Sequence, residues 1–336
     1  MTVFIPTYNR AQWLGGALES VLAQSHRDFH VVVSDNASTD ATRETVARFE
    51  DARVSYLPLE QHVGLNEHFN LCFDRTDTEY LFVLPDDDRM EPDLLERTIA
   101  VLDENPRIGM VHGQTNVVDS EGRLIAGGHG MTGHDGDTVE RGADFIRATM
   151  DMSYRVHAST ALIRTAALAG VRLDERDYPV TDLGLWMRMA VRWDIAYLAR
   201  PLASYRIHAA AYSAGAADVT EGGYSETADR VEKSLEAKLR FIEEHGEALD
   251  DRRDLVRRAR RRHRQELLAG AGRATVPERR LTSTVRALSD CARLDARVAF
   301  QPAAWRLLAG SVLGRRGVSV VKRLLRRPEA SLEVPT

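Results

Sequence analysis

The sequence predicts an α/β fold in which a doubly wound sheet occupies about the first two-thirds of the chain and helices follow it. Three observations predict this fold. Short apolar runs alternate with amphipathic stretches, polar residues come directly after several of these runs, and strand-like patterns stop near Gly223. Alternation of strands and helices is typical of parallel strands joined by helical crossovers. We therefore expect an α/β domain over residues 1–222 and a basic helical region over 223–336.

The elements follow one another closely in the first hundred residues. The helical spacing of Leu14, Leu18 and Val21 predicts a helix, and the continuous run Val31-Val32-Val33 predicts a buried strand. The same criteria predict strands at Thr2 to Pro6, Phe29 to Ser34, Val54 to Leu57 and Tyr80 to Leu84, and helices at Arg10 to Gln24, Asp40 to Glu50, Asn66 to Phe73 and Pro92 to Glu104.

The pattern becomes mixed after about residue 105. Five glycines between Gly127 and Gly136 favour a mobile loop over a core element. The later elements are a strand at Gly109 to Val118, a helix at Asp182 to Arg192, strands at Ile195 to Leu198 and Leu202 to Ile207, and then helices only, with a basic stretch at Arg252 to Arg264 and an amphipathic region at Trp305 to Arg327.

Charge is distributed unevenly along the chain. Residues 1–230 contain 21 basic and 36 acidic residues, a net charge of -15, whereas the remainder contains 24 basic and 14 acidic residues, a net charge of +10. The basic stretch lacks interleaved aromatic residues, so we expect no nucleic-acid partner. Apolar and basic residues are interspersed between Trp305 and Arg327, a pattern that suits an anionic membrane surface. Packing on the α/β domain and pairing of two chains remain alternatives.

Targeting signals are missing from the sequence as given. The start has no basic segment followed by an apolar one, and nowhere do about eighteen apolar residues run uninterrupted. We therefore expect a cytoplasmic protein that binds peripherally to the inner face of the cytoplasmic membrane. Cys72 and Cys291 lie far apart without ligand-type neighbours, which predicts neither a disulfide framework nor a zinc site.

Candidate ligand-binding residues come directly after three predicted strands. They are Pro6-Thr7-Tyr8-Asn9-Arg10, Asp35-Asn36 and Asp86-Asp87-Asp88. Ligands of open parallel sheets bind at the carboxyl ends of the strands, where these segments would meet. Tyr8 could stack on a nucleotide base, Asp35 could accept a hydrogen bond from it, and a divalent cation on the triplet could neutralise a diphosphate.

The acidic triplet is the sharpest signal in the sequence. Adjacent carboxylates at the end of an apolar strand repel one another unless a cation lies among them. The alternative is an acidic turn that leads into the helix beginning at Pro92, where carboxylates favour the positive end of the helix dipole.

Together these segments resemble family 2 glycosyltransferases over roughly residues 1 to 210. The resemblance rests on Val3 to Arg10, Val33 to Asp40 and the triplet with Pro92, with Gly64-Leu65-Asn66 between them. It implies a GT-A fold with a mixed sheet, a nucleoside-diphosphate sugar donor, Mg²⁺ or Mn²⁺ as cofactor, and inversion at the anomeric carbon. The donor-binding residues that it implies are Pro6, Thr7, Tyr8, Arg10, Asp35, Asn66, Asp86, Asp87 and Arg206.

The segment Thr181 to Trp186 is similar to the acidic dyad that precedes an apolar helix in this family. The resemblance implies that Asp182 is the catalytic base, which takes the proton from the acceptor hydroxyl. Thr181 stands where relatives carry Glu, so one neighbouring charge is missing. The alternative for Asp182 is that it caps the helix it opens.

The resemblance also suggests the metal ligands. Many relatives carry an additional Asp where Pro85 stands, so spacing alone does not decide between Asp86 and Asp88, and we favour Asp88. Tyr205-Arg206-Ile207-His208 looks like a segment that closes over the diphosphate in relatives. There His208 would ligate the cation and Arg206 would pair with phosphate.

Other functions fit the sequence less well. A nicotinamide dehydrogenase needs a glycine-rich turn after its first strand, and Pro6 to Arg10 contains no glycine. A sugar nucleotidyltransferase usually opens with a glycine-rich loop and a lysine, but the first 230 residues contain no lysine. A non-catalytic nucleotide-sugar-binding protein remains an alternative because of Thr181 and Pro85. Among acceptors we favour a cell-surface or lipid-linked glycan, since the basic region would bring the site to a membrane.

Overall fold

The computed structural model describes residues 1–130, 132–152, 155–208, 223–249 and 251–275, together with 285, 288–289, 291–293, 295–305 and 307–308. The chain divides into two compact units. The first comprises Met1–Ala217 and Lys233–Arg262, and the second comprises Asp218–Glu232 and His263–Thr336. The boundary that we expect after residue 222 stays a prediction. Most of the amphipathic region up to Arg327 lies outside the described residues.

Within the described ranges ten strands form one mixed sheet, with the order β3-β2-β1-β4-β9-β6-β10-β5. Off this path, β7 pairs with β6 and β8 pairs with β10. β1 is parallel to β2 and β4, whereas β9 runs antiparallel to both β4 and β6. The strands are β1 (Thr2–Thr7), β2 (His30–Asp35), β3 (Val54–Pro58), β4 (Tyr80–Val83), β5 (Arg89–Met90), β6 (Ile108–Val118), β7 (Leu124–His129), β8 (Thr138–Glu140), β9 (Leu162–Arg164) and β10 (Asp194–Arg206).

The helices lie between these strands and after them. They are α1 (Ala11–Leu22), α2 (Thr42–Ala47), α3 (Leu65–Asp74), α4 (Leu94–Glu104), α5 (Gly142–Met150), α6 (Thr181–Ala190), α7 (Gly223–His245) and α8 (Arg252–Thr275), with short 3₁₀ turns at Ala158–Thr160, Thr165–Leu168, Glu175–Asp177 and Ala296–Phe300. None of the helices in these described ranges is long and apolar enough to cross a membrane.

The sheet separates two apolar cores. Successive side chains of a strand point to opposite faces, so Val3 and Ile5 pack in one core while Phe4, between them, packs in the other. Helices α1 and α4 cover the first core, through residues such as Leu14 and Leu94. The second core receives α5 and α6 and also the helical segment of the first unit, Lys233–Arg262.

The buried carboxylate of Asp177 forms ion pairs that connect that helical segment to the rest of the first unit. Asp177 is 1% exposed, lies 3.0 Å from Arg188 Nη2 and also pairs with Arg240 of α7. Burial raises the pKa of Asp177, and the two guanidinium groups oppose this rise. Part of the basic helical region therefore packs on the sheet-containing unit, as one of our alternatives expects.

Two local expectations differ from the structure, the first throughout and the second at its start. The two strands expected at 195–198 and 202–207 form the single strand β10, because a register shift at Pro201 accommodates the missing N–H without ending the strand. The loop expected from Gly127 to Gly136 overlaps β7 in its first three residues, and β7 pairs with β6, whereas residues 130 and 132–136 lie in no helix or strand. Gly128 has a φ of 61°, a conformation that glycine adopts without strain, so the glycines fit this irregular ladder.

Gly142, at the start of α5, has no room for a side chain. A Cβ there would lie 1.9 Å from the carbonyl oxygen of Ala190 and 2.5 Å from that of Trp193, and both are backbone atoms that cannot move alone. We expect Gly142→Ala to lower the free energy of unfolding by about 3 kcal/mol, as overpacking does. Urea denaturation measures the change. Gly136→Ala is the control, since a Cβ at Gly136 has no neighbour within 4 Å. Equal midpoints for both variants would contradict this packing.

Candidate functional site

The three aspartates of the triplet lie just beyond the carboxyl end of β4, and all are buried. Asp86 is 6% exposed, Asp87 is 9% exposed and Asp88 is 1% exposed. Burial, followed by the negative charge of Asp87, raises the pKa of Asp86 to about 7 and also raises the pKa of Asp88. The raised pKa values show that ionising all three carboxyls is unfavourable in this environment, and a cation beside them would favour the ionised forms.

Asp87 is in contact with an arginine and a histidine that follow two other strands. Arg10, which follows β1, forms an ion pair with Asp87, and its Nη1 lies 3.5 Å from Asp86 Oδ1. His208, which follows β10, approaches Asp87 Oδ2 with its Nε2 at 3.0 Å. The structure thus brings together predicted site residues that are far apart in the sequence.

Asp88 is held by two donors from other elements. The Ser159 hydroxyl donates to Asp88 Oδ2, and the backbone N–H of Arg206 donates to Asp88 Oδ1 at 2.8 Å. Ser159 lies in the 3₁₀ turn Ala158–Thr160 and is 2% exposed. Both donors fix the orientation of the carboxylate that we favour on the metal.

The Arg206 side chain has an unexpected set of partners. Its Nε donates to the carbonyl oxygen of Asp87 at 2.9 Å, and its Nη1 donates to the carbonyl oxygens of Asp119 at 3.1 Å and Ser120 at 3.0 Å. Its guanidinium therefore ties the triplet to the turn that follows β6. Contact of Arg206 with a diphosphate stays a prediction.

The loops after β1, β2 and β3 are joined by hydrogen bonds of their asparagines. Asn9 N donates to Ser38 Oγ at 2.9 Å, and Asn9 Oδ1 accepts from Thr39 N at 2.8 Å. The Asn36 side chain pairs twice with the Val63 backbone, at 2.9 and 2.8 Å. Asn9 adopts a φ of 52°, an uncommon value for a side-chain-bearing residue. This edge of the sheet is therefore locally preorganised.

The residues predicted to contact the nucleotide base lie at these loops. Tyr8 is 43% exposed, and the centroid of its ring lies 4.2 Å from that of His62. Asp35 is buried, accepts from Ser38 N at 3.0 Å and also accepts from the Tyr56 hydroxyl. A carboxylate offers about four lone pairs, so Asp35 keeps capacity for a further donor. Pro6 and Thr7 are buried at the end of β1.

Asn66 lies in the first turn of α3, and its side-chain amide is buried without a hydrogen-bond partner among the described residues. The side chain is 1% exposed, yet neither its oxygen nor its nitrogen has a hydrogen-bond partner among the described residues. Buried amides are nearly always bonded, so such a group calls for a ligand or a water.

Asp182 is the second residue of α6. Its Oδ1 accepts from Leu183 N at 2.9 Å, and it is partly exposed. The N-cap assigned to α6 is Val180, but the Asp182 carboxylate accepts from a backbone N–H of the first turn, so the capping alternative stays open. Its role as the base stays a prediction.

The ligand types at the triplet fit a divalent cation. Within the described ranges no three His, Cys, Asp or Glu side chains are arranged as a metal cage. Magnesium is commonly bound by one or two carboxylates together with substrate phosphates and water, so a complete cage is not required. Asp86 and Asp88 supply carboxylates, and His208 offers a buried Nδ1 that has no partner among the described residues. These groups suit a cation that arrives with a diphosphate.

Some residues of this region carry no signal in the sequence. Ser159 contacts Asp88 across 71 positions, and Trp13, in the first turn of α1, lies against His208. His62 and Tyr56 lie beside Tyr8 and Asp35. Only the fold brings these pairs together.

The chain is similar to known glycosyltransferases in sequence. Residues 2–157 match the family described as Glycosyl transferase family 2. An uncharacterized glycosyltransferase of Nostoc sp. is 32% identical over a stretch that covers 37% of this chain and 39% of the relative. The putative teichuronic acid biosynthesis glycosyltransferase TuaG of Bacillus subtilis is 30% identical over 31% of this chain and 42% of the relative. The GalNAc(5)-diNAcBac-PP-undecaprenol beta-1,3-glucosyltransferase of Campylobacter jejuni is 26% identical over 56% of this chain and 59% of the relative. The matches thus span less than two-thirds of these relatives.

The fold is similar to solved glycosyltransferase structures. TarS 1-349 of S. aureus in complex with UDP has a TM-score of 0.57 and 17% identity, over 96% of this chain and 91% of that one. The mannosyltransferase PcManGT from Pyrobaculum calidifontis in complex with GDP-Man and Mn²⁺ has a TM-score of 0.53 and 16% identity, over 96% and 86%. At this identity the similarity concerns the fold alone, and it confirms the expected GT-A class.

Proposed function

Because residues 2–157 belong to glycosyl transferase family 2, we propose that the chain moves a sugar from a nucleoside-diphosphate sugar to an acceptor hydroxyl with inversion at the anomeric carbon. The observation that carries the proposal is the cluster at the carboxyl ends of three strands. Arg10 after β1, the triplet after β4 and His208 after β10 are in contact, and these strands run in the same direction. This is the edge at which open sheets bind nucleotides.

The donor would lie along this edge. Tyr8, exposed beside His62, would stack on the base, and Asp35 and Asn66 would provide polar contacts with the nucleoside. The solved complexes with UDP and with GDP-Man support a nucleotide donor, since the chain shares their fold. Asp86, Asp88 and His208 would hold Mg²⁺ or Mn²⁺, and a cation there would neutralise the charge of the departing diphosphate.

Asp182 would act on the acceptor. Its carboxylate would accept the proton of the acceptor hydroxyl while that oxygen attacks the anomeric carbon. Deprotonation raises the nucleophilicity of the oxygen, and attack from the side opposite the diphosphate inverts the configuration. Thr181, buried beside it, brings no second charge to this position.

A cell-surface or lipid-linked glycan is the proposed acceptor class. The names of two relatives support it, since one belongs to teichuronic acid biosynthesis and the other acts on an undecaprenol-linked glycan. A glycan acceptor offers sugar hydroxyls, the group that the proposed base would deprotonate.

A panel of UDP-, GDP- and dTDP-sugars tests the proposed activity through release of nucleoside diphosphate. A transferase releases the diphosphate in proportion to the sugar transferred to an acceptor or to water. A non-catalytic binding protein would bind a donor without releasing the diphosphate. A nucleotidyltransferase would instead form pyrophosphate from a nucleoside triphosphate and a sugar phosphate.

The C-terminal region would bind reversibly to an anionic membrane surface. From Ala296 to Pro328 the sequence contains eight basic residues and no acidic one. Within the described part of this segment Phe300 is 83% exposed and Trp305 is 64% exposed. Exposed aromatic side chains among basic residues are typical of peripheral membrane segments. The site would thereby stay close to lipid-linked acceptors.

Co-sedimentation with vesicles tests the membrane proposal. We expect the full chain to sediment with anionic vesicles at low salt and to be released at high salt, because each basic residue near the surface contributes about 1 kcal/mol. A chain truncated after Phe300 should lose this binding, and Trp305→Ser should weaken it. Neutral vesicles are the control. Failure of the full chain to bind anionic vesicles at low salt would exclude this role and favour packing or chain pairing.

A further inference from the structure

A buried carboxylate lies in the turn that precedes the proposed base. Asp177 ends the 3₁₀ turn Glu175–Asp177, five positions before Asp182, and is 1% exposed. Its carboxylate accepts from two arginines of different elements. Arg188 of α6 donates from Nη2 to Oδ2 at 3.0 Å, and Arg240 of α7 donates to Oδ1. Both oxygens of Asp177 are therefore engaged in charge-assisted hydrogen bonds, which are stronger than neutral ones.

Backbone hydrogen bonds continue from this turn to the carboxylate of Asp182. The carbonyl oxygen of Asp177 accepts from Val180 N at 2.8 Å, and the carbonyl oxygen of Val180, the N-cap of α6, accepts from Leu183 N at 3.1 Å. The same Leu183 N–H also donates to Asp182 Oδ1 at 2.9 Å. A displacement of Asp177 would therefore move the backbone groups that orient the Asp182 carboxylate.

Gly184 of α6 leaves the space that the Asp177 carboxylate occupies. A Cβ at this position would lie 2.3 Å from Asp177 Oδ2 and 2.8 Å from Arg188 Nη2. Glycine inside a helix is otherwise less favourable than alanine. Its presence here fits the close approach of the carboxylate to α6.

Arg240 connects this turn to the C-terminal part of the chain. It lies on α7 within the segment Lys233–Arg262, which belongs to the same compact unit as the sheet. Phe241 and Ile242, the next two residues, are buried in the core that also receives α6. Packing thus fixes the backbone from which Arg240 reaches Asp177.

We propose that Asp177 and Arg240 are positioning residues, whose ion pair fixes the start of α6 and thereby holds Asp182 where it acts on the acceptor. The proposal rests on the transfer reaction proposed above and deepens it, because it makes a helix of the C-terminal part necessary for the chemical step. Transfer would depend on this support from α7. Donor binding at the loops that follow β1, β2 and β4 would not.

Arg240→Gln tests this role while Arg188 still pairs with Asp177. We expect kcat to fall about 10- to 100-fold at unchanged donor affinity, because a displacement of about 1 Å can cost about a hundredfold. Arg240→Lys should recover kcat to within about threefold of the wild type, since the charge and a donor remain. Initial rates of nucleoside diphosphate release give kcat, and calorimetry gives donor affinity and binding stoichiometry.

Arg176→Gln is the matched control. Arg176 belongs to the same 3₁₀ turn and also contacts α7, where its Nη2 lies 3.0 Å from Glu244 Oε1, but its side chain is 61% exposed. Exposed ion pairs contribute little, so kcat of this variant should equal that of the wild type.

Hydrogen exchange tests the same support without donor, metal or activity. In Arg240→Gln we expect the amide hydrogens of residues 180–184 to exchange about tenfold faster than in the wild type, because loss of the support favours local opening. The Leu183 amide reports directly on the Asp182 carboxylate, to which it donates. Amides of β1 and β2, and all of these amides in Arg176→Gln, should exchange at the wild-type rate.

Wild-type kcat in Arg240→Gln, unchanged exchange at residues 180–184, or an equal fall of kcat in Arg176→Gln would each overturn the proposal. So would a fall of kcat that only matches a loss of donor-binding stoichiometry, because the variant would then be partly unfolded. If Arg240→Gln does not fold, Gly184→Ala replaces it, since its Cβ displaces the Asp177 carboxylate while both arginines remain. Unchanged kcat and exchange in Gly184→Ala would then overturn the proposal. If no donor releases nucleoside diphosphate, the proposed function fails, and exchange alone decides whether Arg240 holds the Asp182 carboxylate.

Discussion

Asp88→Ala is expected to lower sugar transfer about a hundredfold to a thousandfold, the usual effect of removing a group that stabilises developing charge. Asp88 is 1% exposed and held by Ser159 and by the backbone of Arg206, so its carboxylate is fixed in place. Excess chelator should stop transfer by the wild type, and added Mn²⁺ or Mg²⁺ should restore it. Initial rates of nucleoside diphosphate release measure both effects.

Asp74→Ala is the control for Asp88→Ala, because it removes a carboxylate from an exposed ion pair with Arg172. Its rate should equal that of the wild type. Full activity of the wild type in excess chelator would show that transfer needs no cation, and the role assigned to Asp86 and Asp88 would be wrong.

The pH dependence of stability should also arise from the acidic triplet. The pKa of Asp86 is raised to about 7 by burial and by Asp87, so the metal-free folded protein binds this proton more tightly than the unfolded chain does. The contribution of this bound proton to the free energy of unfolding is fully present below about pH 4 and is lost as the pH rises through about 7. A bound cation replaces the proton. Mn²⁺ should therefore raise the thermal midpoint more at about pH 8 than at about pH 5.

Asp182→Asn is expected to keep donor affinity and to lower kcat about a hundredfold to ten-thousandfold, the usual contribution of a positioned base. The amide has nearly the same shape as the carboxylate but cannot accept the proton of the acceptor. Its oxygen can still accept from Leu183 N, so the first turn of α6 should be unaffected. Donor affinity by calorimetry and kcat by diphosphate release separate binding from chemistry.

Asp174→Asn makes the same chemical change near α6 and serves as the control. Asp174 pairs with Arg176 at the surface. Its variant should keep the wild-type kcat. Transfer by Asp182→Asn at the wild-type rate would place the base elsewhere and would remove the assignment that the resemblance implies.

The residues of the site that could be predicted from sequence are those next to strand ends. Tyr8, Asp35 and the triplet follow apolar runs, and the rule for open sheets brings such positions to one edge without knowledge of other contacts. The fold class could be predicted for the same reason, since strand and helix periodicities are local properties of the chain.

Long-range contacts could not be predicted in this way. Ser159 reaches Asp88 only because the 3₁₀ turn before β9 packs beside β5 and β10, and no local pattern indicates this. Arg206 is similar in position to a phosphate-binding residue, yet its guanidinium bonds three backbone carbonyls. Pro201 marks a register shift inside β10, although proline usually marks the end of a strand in sequence.

The most direct test of the central claim is the configuration of the sugar that the wild type releases from an α-linked nucleotide donor. Glycosyltransferases that lack an acceptor can transfer to water, so the unknown acceptor does not prevent the measurement. Proton NMR within minutes of mixing distinguishes the anomers before they equilibrate. We predict that nucleoside diphosphate and the β-anomer form together, only with Mn²⁺ or Mg²⁺ and far more slowly in Asp182→Asn. Initial formation of the α-anomer, or no release of nucleoside diphosphate from any donor by the folded protein, would contradict an inverting transferase.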